Sequence, residues 1–378
     1  MGADGRDVGR ALPCAQVKVA LHVGQLLQPV PGGIGRYVSS LAEALPEADV
    51  DVVPFAAGAS PARWSDSFRG YQNLGWPPAP WRYELWHRAR RPVVDLGTDV
   101  LHAPSLAVPP GGRTPLVVTV HDIAFLRHPE AFTRRGVEFH RRGLAITYRE
   151  AAVIVTASQF ACDELVRIGF DPGRIHLAPH GVTVPEPEPD EVVDPRIRRI
   201  GVHAPFLLFV GTIEPRKGLD TLVAAYTVLR RRRPDLALVV VGPRGWLAVP
   251  GLDSPGIREL GRVDDTTLDA LYRRAVICAV PSRYEGFGLP ALEAMARGCP
   301  VVASATTSLP EVVADAGMLV PAGDVDAWAC ALEGLLDDPS AREGLAKLGR
   351  QRAQRFTWSA SAAAHAVAYR TALALPRP

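Results

Sequence analysis

Residues 280–304 read Val-Pro-Ser-Arg-Tyr-Glu-Gly-Phe-Gly-Leu-Pro-Ala-Leu-Glu-Ala-Met-Ala-Arg-Gly-Cys-Pro-Val-Val-Ala-Ser. The apolar run Val276 to Val280 predicts a buried strand. Pro290 fits the first turn of a helix, where its missing N–H costs nothing. That helix should run to about Arg297, with Gly298 as a left-handed exit before a next strand at Val301-Val302. Strand, loop, helix and strand make one unit of a parallel α/β sheet. The unit sets Glu285 on the strand-to-helix loop and Glu293 in the first turns of the helix. Both carboxylates then face the crevice at the carboxyl ends of the strands, where open α/β sheets bind ligands. Gly286 and Gly288, on either side of Phe287 and just before Leu289, suit close approach of backbone to a ligand. The bland reading of the same residues is a solvated loop acid and a first-turn acid complementing the helix dipole.

The same alternation extends in both directions. Phe206 to Val210 predicts a strand, followed by Gly211-Thr212-Ile213-Glu214-Pro215-Arg216-Lys217-Gly218. A glycine and an adjacent Arg216-Lys217 pair at a helix start can grip a diphosphate with two cations and a positive helix end. Lys18, Lys217 and Lys347 are the lysines of the chain, the rest of its 42 cationic residues being arginine. A lysine on this loop therefore stands out from general surface charge. Val17 to Val23 is a strand leading into Pro31-Gly32-Gly33-Ile34-Gly35-Arg36-Tyr37, which opens a helix to about Leu45. Gly33 and Gly35 would let backbone amides face an anion there.

Strands are also predicted at 49–54, 99–102 and 115–120, the last ending at His121-Asp122. A histidine there can be structural, satisfied by a carbonyl, or can line a site; His121 is taken as a site residue. Residues 56–92 carry Trp64, Tyr71, Trp76, Trp81, Tyr83 and Trp86. They are read as an irregular insertion with a small satellite core, the other reading being an aromatic acceptor-binding region. A helix from about Thr133 to Arg149 carries Arg134, Arg135, Arg141 and Arg142, whose spacing of seven pairs them on one face. A solvated face is the default reading, and contact with anionic lipid is the sharper one.

At 378 residues the chain is long for a single core, and 47% hydrophobic residues can fill two. A net charge of +2 argues against a dedicated nucleic-acid binder. The cysteines (14, 162, 278, 299 and 330) are scattered, odd in number and free of C-x-x-C pairs, a free-thiol usage that fits a reducing cytoplasm. No apolar run approaches the ~20 residues of a membrane helix. Residues 1–15 read as a disordered leader without the order of a signal peptide. The acidic, proline-rich Pro185-Glu-Pro-Glu-Pro-Asp-Glu reads as a linker. The domains expected are 16–184, a linker at 185–200, a second domain at 201–356 and a final helix at 357–374.

Over roughly residues 16–372 these motifs, in this order, resemble the retaining glycosyltransferases of family 4. They are the glycine loop, His121-Asp122, Pro179-His-Gly-Val182, Gly211-Thr-x-x-Pro-Arg-Lys-Gly218, and the E-x7-E of Glu285 and Glu293. The segment from Trp81 to Phe132 is similar to bacterial mannosyltransferases of that family. The resemblance implies a GT-B fold, two Rossmann-like doubly wound domains facing a central cleft, with the last helix crossing back onto the first. It implies transfer of a hexose, mannose from GDP-mannose being the first expectation, to a glycan or lipid-linked acceptor with retention of configuration. No metal and no cofactor are expected. Arg216 and Lys217 would carry the leaving-group charge, assisted by the Gly33 to Gly35 amides. Glu285 would hold the donor sugar, Glu293 the ribose, and His121 would approach the reacting carbon, with Gly211 and Gly286 to Leu289 lining the donor. A role in cell-envelope polysaccharide synthesis, in the cytoplasm or on the inner membrane face, is implied too. Two other readings stay open: a sugar-nucleotide epimerase of the same fold, and a non-catalytic nucleotide-sugar-binding subunit.

Overall fold

Runs of Val, Ile, Leu and Ala that are apolar at successive positions suit strands buried on both faces, and such strands assemble into parallel sheets. The computed structural model describes residues 16–57, 70–184, 186, 189–202, 205–245 and 249–375. The leader 1–15 with Cys14, Trp64, and linker positions 185, 187 and 188 lie outside the described residues. In the first sheet, β1 (Val17–His22), β2 (Val50–Ala56), β3 (Gln72–Asn73), β4 (Val100–Ala103), β5 (Leu116–Thr119), β6 (Ala151–Thr156) and β7 (Ile175–Leu177) lie in the order 3-2-1-4-5-6-7. In the second, β8 (Phe206–Val210), β9 (Ala237–Val241), β10 (Ile257–Gly261), β11 (Ile277–Val280), β12 (Val301–Ser304) and β13 (Met318–Val320) lie in the order 10-9-8-11-12-13. The pairings within both sheets are parallel. Strand order reverses between β1 and β4 and between β8 and β11, so each sheet has a crevice at the carboxyl ends of those strands.

Each sheet is covered by apolar layers on both faces. One layer of the first domain joins Val19, Leu21, Tyr37, Leu41 and Val153 to Ala362, Ala366, Tyr369 and Ala372 of the last helix, Trp358–Ala374. The C-terminal helix is thus part of the first domain's core. Thr357 caps it by accepting from Ala360 N at 3.0 Å.

Two stretches differ from the sequence reading. Residues 79–89, assigned to an irregular insertion, form a helix, and its Trp86 is fully buried among Phe55, Leu101 and Val118 of the main core. The prolines at 77, 78 and 80 hide this helix, although two of them sit where a helix start tolerates proline. Within 185–200, residues Asp190–Arg199 form a helix despite Pro195, and Ile197 is buried in the second domain's core.

The last helix is also fastened by a chain of buried polar groups. His365 Nδ1 donates to the Ser361 carbonyl at 2.7 Å, which leaves Nε2 as an acceptor for Tyr37 Oη at 2.8 Å. Tyr37 then accepts from Thr119 Oγ1 (2.8 Å), Thr119 from His102 Nε2 (2.8 Å), and His102 Nδ1 from Tyr369 Oη (2.8 Å). Burial keeps both imidazoles neutral, and because carbonyls only accept, one end then fixes the direction of all five bonds. Burial pushes His365 down to about 4 and holds His102 well below the usual range. The unfolded chain therefore binds more protons than the native one between about pH 6.5 and 4, and stability is lost as pH falls through that window. At pH 5 His365 alone should withdraw about 2 kcal/mol, and His102 acts in the same direction. Urea midpoints should drop clearly between pH 7.5 and pH 5.0. Tyr37→Phe, which orphans His365 Nε2, should lower stability by about 1–3 kcal/mol at pH 7.5. A flat pH response would mean that these imidazoles are not buried neutral.

Candidate active site

The carboxyl ends of β8 and β11 carry the residues that the sequence nominated in the second domain. After β8 the chain turns through Gly211, whose backbone faces the Lys217 side chain, and reaches a short 3-10 turn at Pro215–Lys217. After β11 a loop presents Ser282 and Glu285, and the helix Leu289–Ala296 begins behind Gly288, at a φ of 105° that a side chain would strain. The two loops meet in an ion cluster. Lys217 Nζ donates to Glu285 Oε1 at 2.6 Å and Ser282 Oγ to the same oxygen at 2.8 Å. Arg216 lies 3.9 Å from Glu285 Oε2, and donates to Glu214 Oε1 at 2.6 Å and to the Tyr284 carbonyl at 3.0 Å.

Glu285 is only 6% exposed. Burial alone would raise its pKa, but Lys217 and Arg216 and the bonds from Lys217 and Ser282 outweigh it and hold the carboxyl below the usual range. The backbone around it is pinned as well. Glu285 N donates to Thr307 Oγ1 at 3.1 Å, and Ser308 Oγ to the Glu285 carbonyl at 2.9 Å. Thr307 has a φ of 55°, a left-handed conformation that is an outlier for a β-branched residue and costs about 1–3 kcal/mol. Strain is stored beside the cluster.

The first domain supplies the facing wall. His121 follows β5, and its carbonyl would lie 2.2 Å from a Cβ added at Gly286, so only glycine lets the domains approach this closely. His121 Nε2 donates to the Pro104 carbonyl at 2.9 Å, and burial lowers its pKa. The ring is therefore neutral, with Nδ1 left as an acceptor. Asp122 faces Arg216, whose burial it helps to offset. The Gly33 turn approaches Leu289, 3.6 Å from the position of an added Cβ. Glu293 is nearly buried, with Oε2 accepting from Tyr272 Oη at 2.9 Å and Oε1 from Arg36 at 2.6 Å. Phe287 contributes a packing ring, edge-on to His180 at 5.0 Å and Phe356 at 5.9 Å.

Several residues join the two domains, a part that the sequence reading gives to none of them; Ser158 reads there only as a helix cap. Ser158 caps the helix Gln159–Arg167 and also donates to the Gly286 carbonyl at 2.6 Å. Glu311 accepts from Gln159 N at 2.8 Å and Phe160 N at 3.3 Å, so an acid of one domain caps a helix of the other. Arg262 donates to the Pro29 carbonyl at 2.7 Å. Among the described residues, no group of three His, Cys, Asp or Glu side chains is placed to hold a metal ion.

Residues 31–186 match the family described as Glycosyltransferase Family 4, and residues 204–338 that described as Glycosyl transferases group 1. The O-antigen chain mannosyltransferase B of Escherichia coli is 34% identical over 290 residues, covering 73% of this chain and 76% of that protein. The chain belongs to glycosyltransferase family 4. Sucrose-phosphate synthase from Thermosynechococcus elongatus superposes with a TM-score of 0.73 at 25% identity, over 94% of this chain and 98% of that one. Anabaena HepE in complex with UDP-glucose superposes with a TM-score of 0.71 at 20% identity, over 93% of this chain and 98% of that one, a likeness of fold alone. The glycosyltransferase fold is GT-B, two parallel α/β domains around the cleft described above.

In this glycosyltransferase, Lys217→Met would leave the buried Glu285 with the Ser282 hydroxyl and, as its nearby cation, the more distant Arg216, and should destabilise the protein by about 3 kcal/mol. Adding Glu285→Gln should recover most of that loss without restoring turnover. Urea unfolding of both variants checks this, and a Lys217→Met protein as stable as wild type would contradict the buried pair.

Proposed function

We propose that this family 4 enzyme transfers a hexose, mannose from GDP-mannose being the first choice, to a glycan or lipid-linked acceptor with retention of configuration and without a metal. The observation that carries the reading is the Arg216–Lys217–Glu285 cluster, buried at the carboxyl ends of β8 and β11 and faced by His121 from the other domain. Breaking a sugar–diphosphate bond loads negative charge on the leaving group while the anomeric carbon becomes cationic. Arg216 and Lys217 would hold that charge in a site of low dielectric, and loss of one such contact typically costs about 10²–10³ in rate. Lys217 and Ser282 both engage Glu285 Oε1, which leaves Oε2 with capacity to accept from a donor-sugar hydroxyl. His121, neutral with an accepting Nδ1, suits a second sugar hydroxyl on the opposite face. Glu293 would take the ribose hydroxyls. The O-antigen chain mannosyltransferase B among the relatives supports mannose as the sugar and a cell-envelope polysaccharide as the product.

Contact with the inner face of the cell membrane belongs to the same reading. The helix Arg134–Glu150 exposes Arg134, Arg135, Arg141 and Arg149, whereas Arg142 is drawn into ion pairs with Glu138 and Glu84. Arg141 and Arg149 border an apolar groove of Leu126, Leu144, Tyr148 and Phe170. No helix of the described residues is long and apolar enough to cross a membrane.

Thermal stability against GDP-mannose, UDP-glucose, UDP-N-acetylglucosamine, GDP and UDP, with and without EDTA, tests the donor. A ligand at 100 times its Kd should add about 2.7 kcal/mol. A shift with one nucleotide class, indifferent to EDTA and lost in Lys217→Ala, is the expected result. Free isomerised sugar nucleotide formed without acceptor would instead favour an epimerase. For the surface, the protein should co-sediment with phosphatidylglycerol vesicles at low salt and detach as salt rises. Absence of co-sedimentation at low salt would remove the membrane from the reading.

A further inference from the structure

Arg36 stands one residue past the Gly33-Ile34-Gly35 turn, in the first turns of the helix Gly32–Ala44. Its side chain crosses the cleft, with Nη1 on Glu293 Oε1 at 2.6 Å and Nη2 on Asp265 Oδ1 at 2.8 Å. The other Glu293 oxygen accepts from Tyr272. Glu293 is therefore clamped by a guanidinium and a phenol and is only 6% exposed beneath them, so a ribose diol gains room at the carboxylate most readily by displacing one of them. Tyr272 is fully buried in the second domain's core. The Arg36 side chain is 37% exposed and long, so it is the donor that can leave.

A guanidinium released inside the cleft needs another anion. Asp265 is a weak home, being 89% exposed, where ion pairs contribute little. The entering donor brings its own anion, the diphosphate, and Arg36 is rooted on the glycine turn whose helix N-terminus would face it. Arginine matches phosphate oxygens with a two-pronged fork. Resting on the nucleotide-sugar reading above, we propose that Arg36 is a third cation for the donor diphosphate, kept on Glu293 and Asp265 until the ribose takes its place. Nucleoside recognition and phosphate recognition are thereby coupled across the two domains.

Calorimetry with UDP, GDP, uridine and guanosine separates this from a structural tie. Binding of UDP or GDP to the wild type upholds the donor reading by itself; binding of neither would end that reading and this one together. Arg36→Ala should weaken the diphosphate about 10- to 100-fold. It should leave the matching nucleoside unchanged or bound severalfold more tightly, because Glu293 is freed. Asp265→Asn, which loosens the resting position, should strengthen the diphosphate severalfold. Equal effects of Arg36→Ala on nucleoside and diphosphate, or weaker diphosphate binding in Asp265→Asn, would overturn the proposal.

Discussion

A carboxylate buried between two domains persists only if its cations stay with it, and Glu285 imposes that condition on this protein. Lys217 and Arg216 must come from one loop, Ser282 from another, and the backbone must be held by Thr307 and Ser308. The left-handed Thr307 shows the neighbouring chain bent to meet the condition. Gly286 follows from it too, since the loop that carries Glu285 is the one on which the His121 carbonyl rests. The charged cluster and the domain contact are one construction.

Much of this was legible in the sequence because parallel strands must be apolar on both faces, and because glycine and proline are positional residues. The helix starts near Pro290 and Thr133 and the left-handed exit at Gly298 all rest on local chemistry. What stayed hidden depends on distant partners. Arg36 and Glu293 are 257 positions apart, and nothing local marks them as a pair. Glu311 reads as an ordinary first-turn acid until the helix at Gln159 is brought against it. The arginine face suffered the same way: spacing grouped Arg135 with Arg142, but Glu84, from another helix, claims Arg142. Prolines misled at 77–80 and 195, where helices form around them.

The histidine chain links the far side of the first domain to the cleft. Tyr37 receives the Thr119 hydroxyl, donates to His365, and lies edge-on to His121 at 4.9 Å. The last helix therefore sets the ring against which His121 rests. A network satisfied in one direction only also specifies a single arrangement of its members, since reversing one hydroxyl would leave two buried groups unmatched.

The bridges across the cleft are mostly polar, and several end on backbone atoms: the Gly286 and Pro29 carbonyls and the amides of Gln159 and Phe160. Separating them exchanges hydrogen bonds for water, and the apolar surface uncovered with them is confined to a few contacts, Phe287 against His180, Tyr284 against Phe160 and His128, and Ala157 against the second domain's core. Heat-capacity change follows apolar exposure. Parting the domains should therefore carry a much smaller heat-capacity change than unfolding either sheet, whose apolar layers are far larger, so the two events respond differently to temperature.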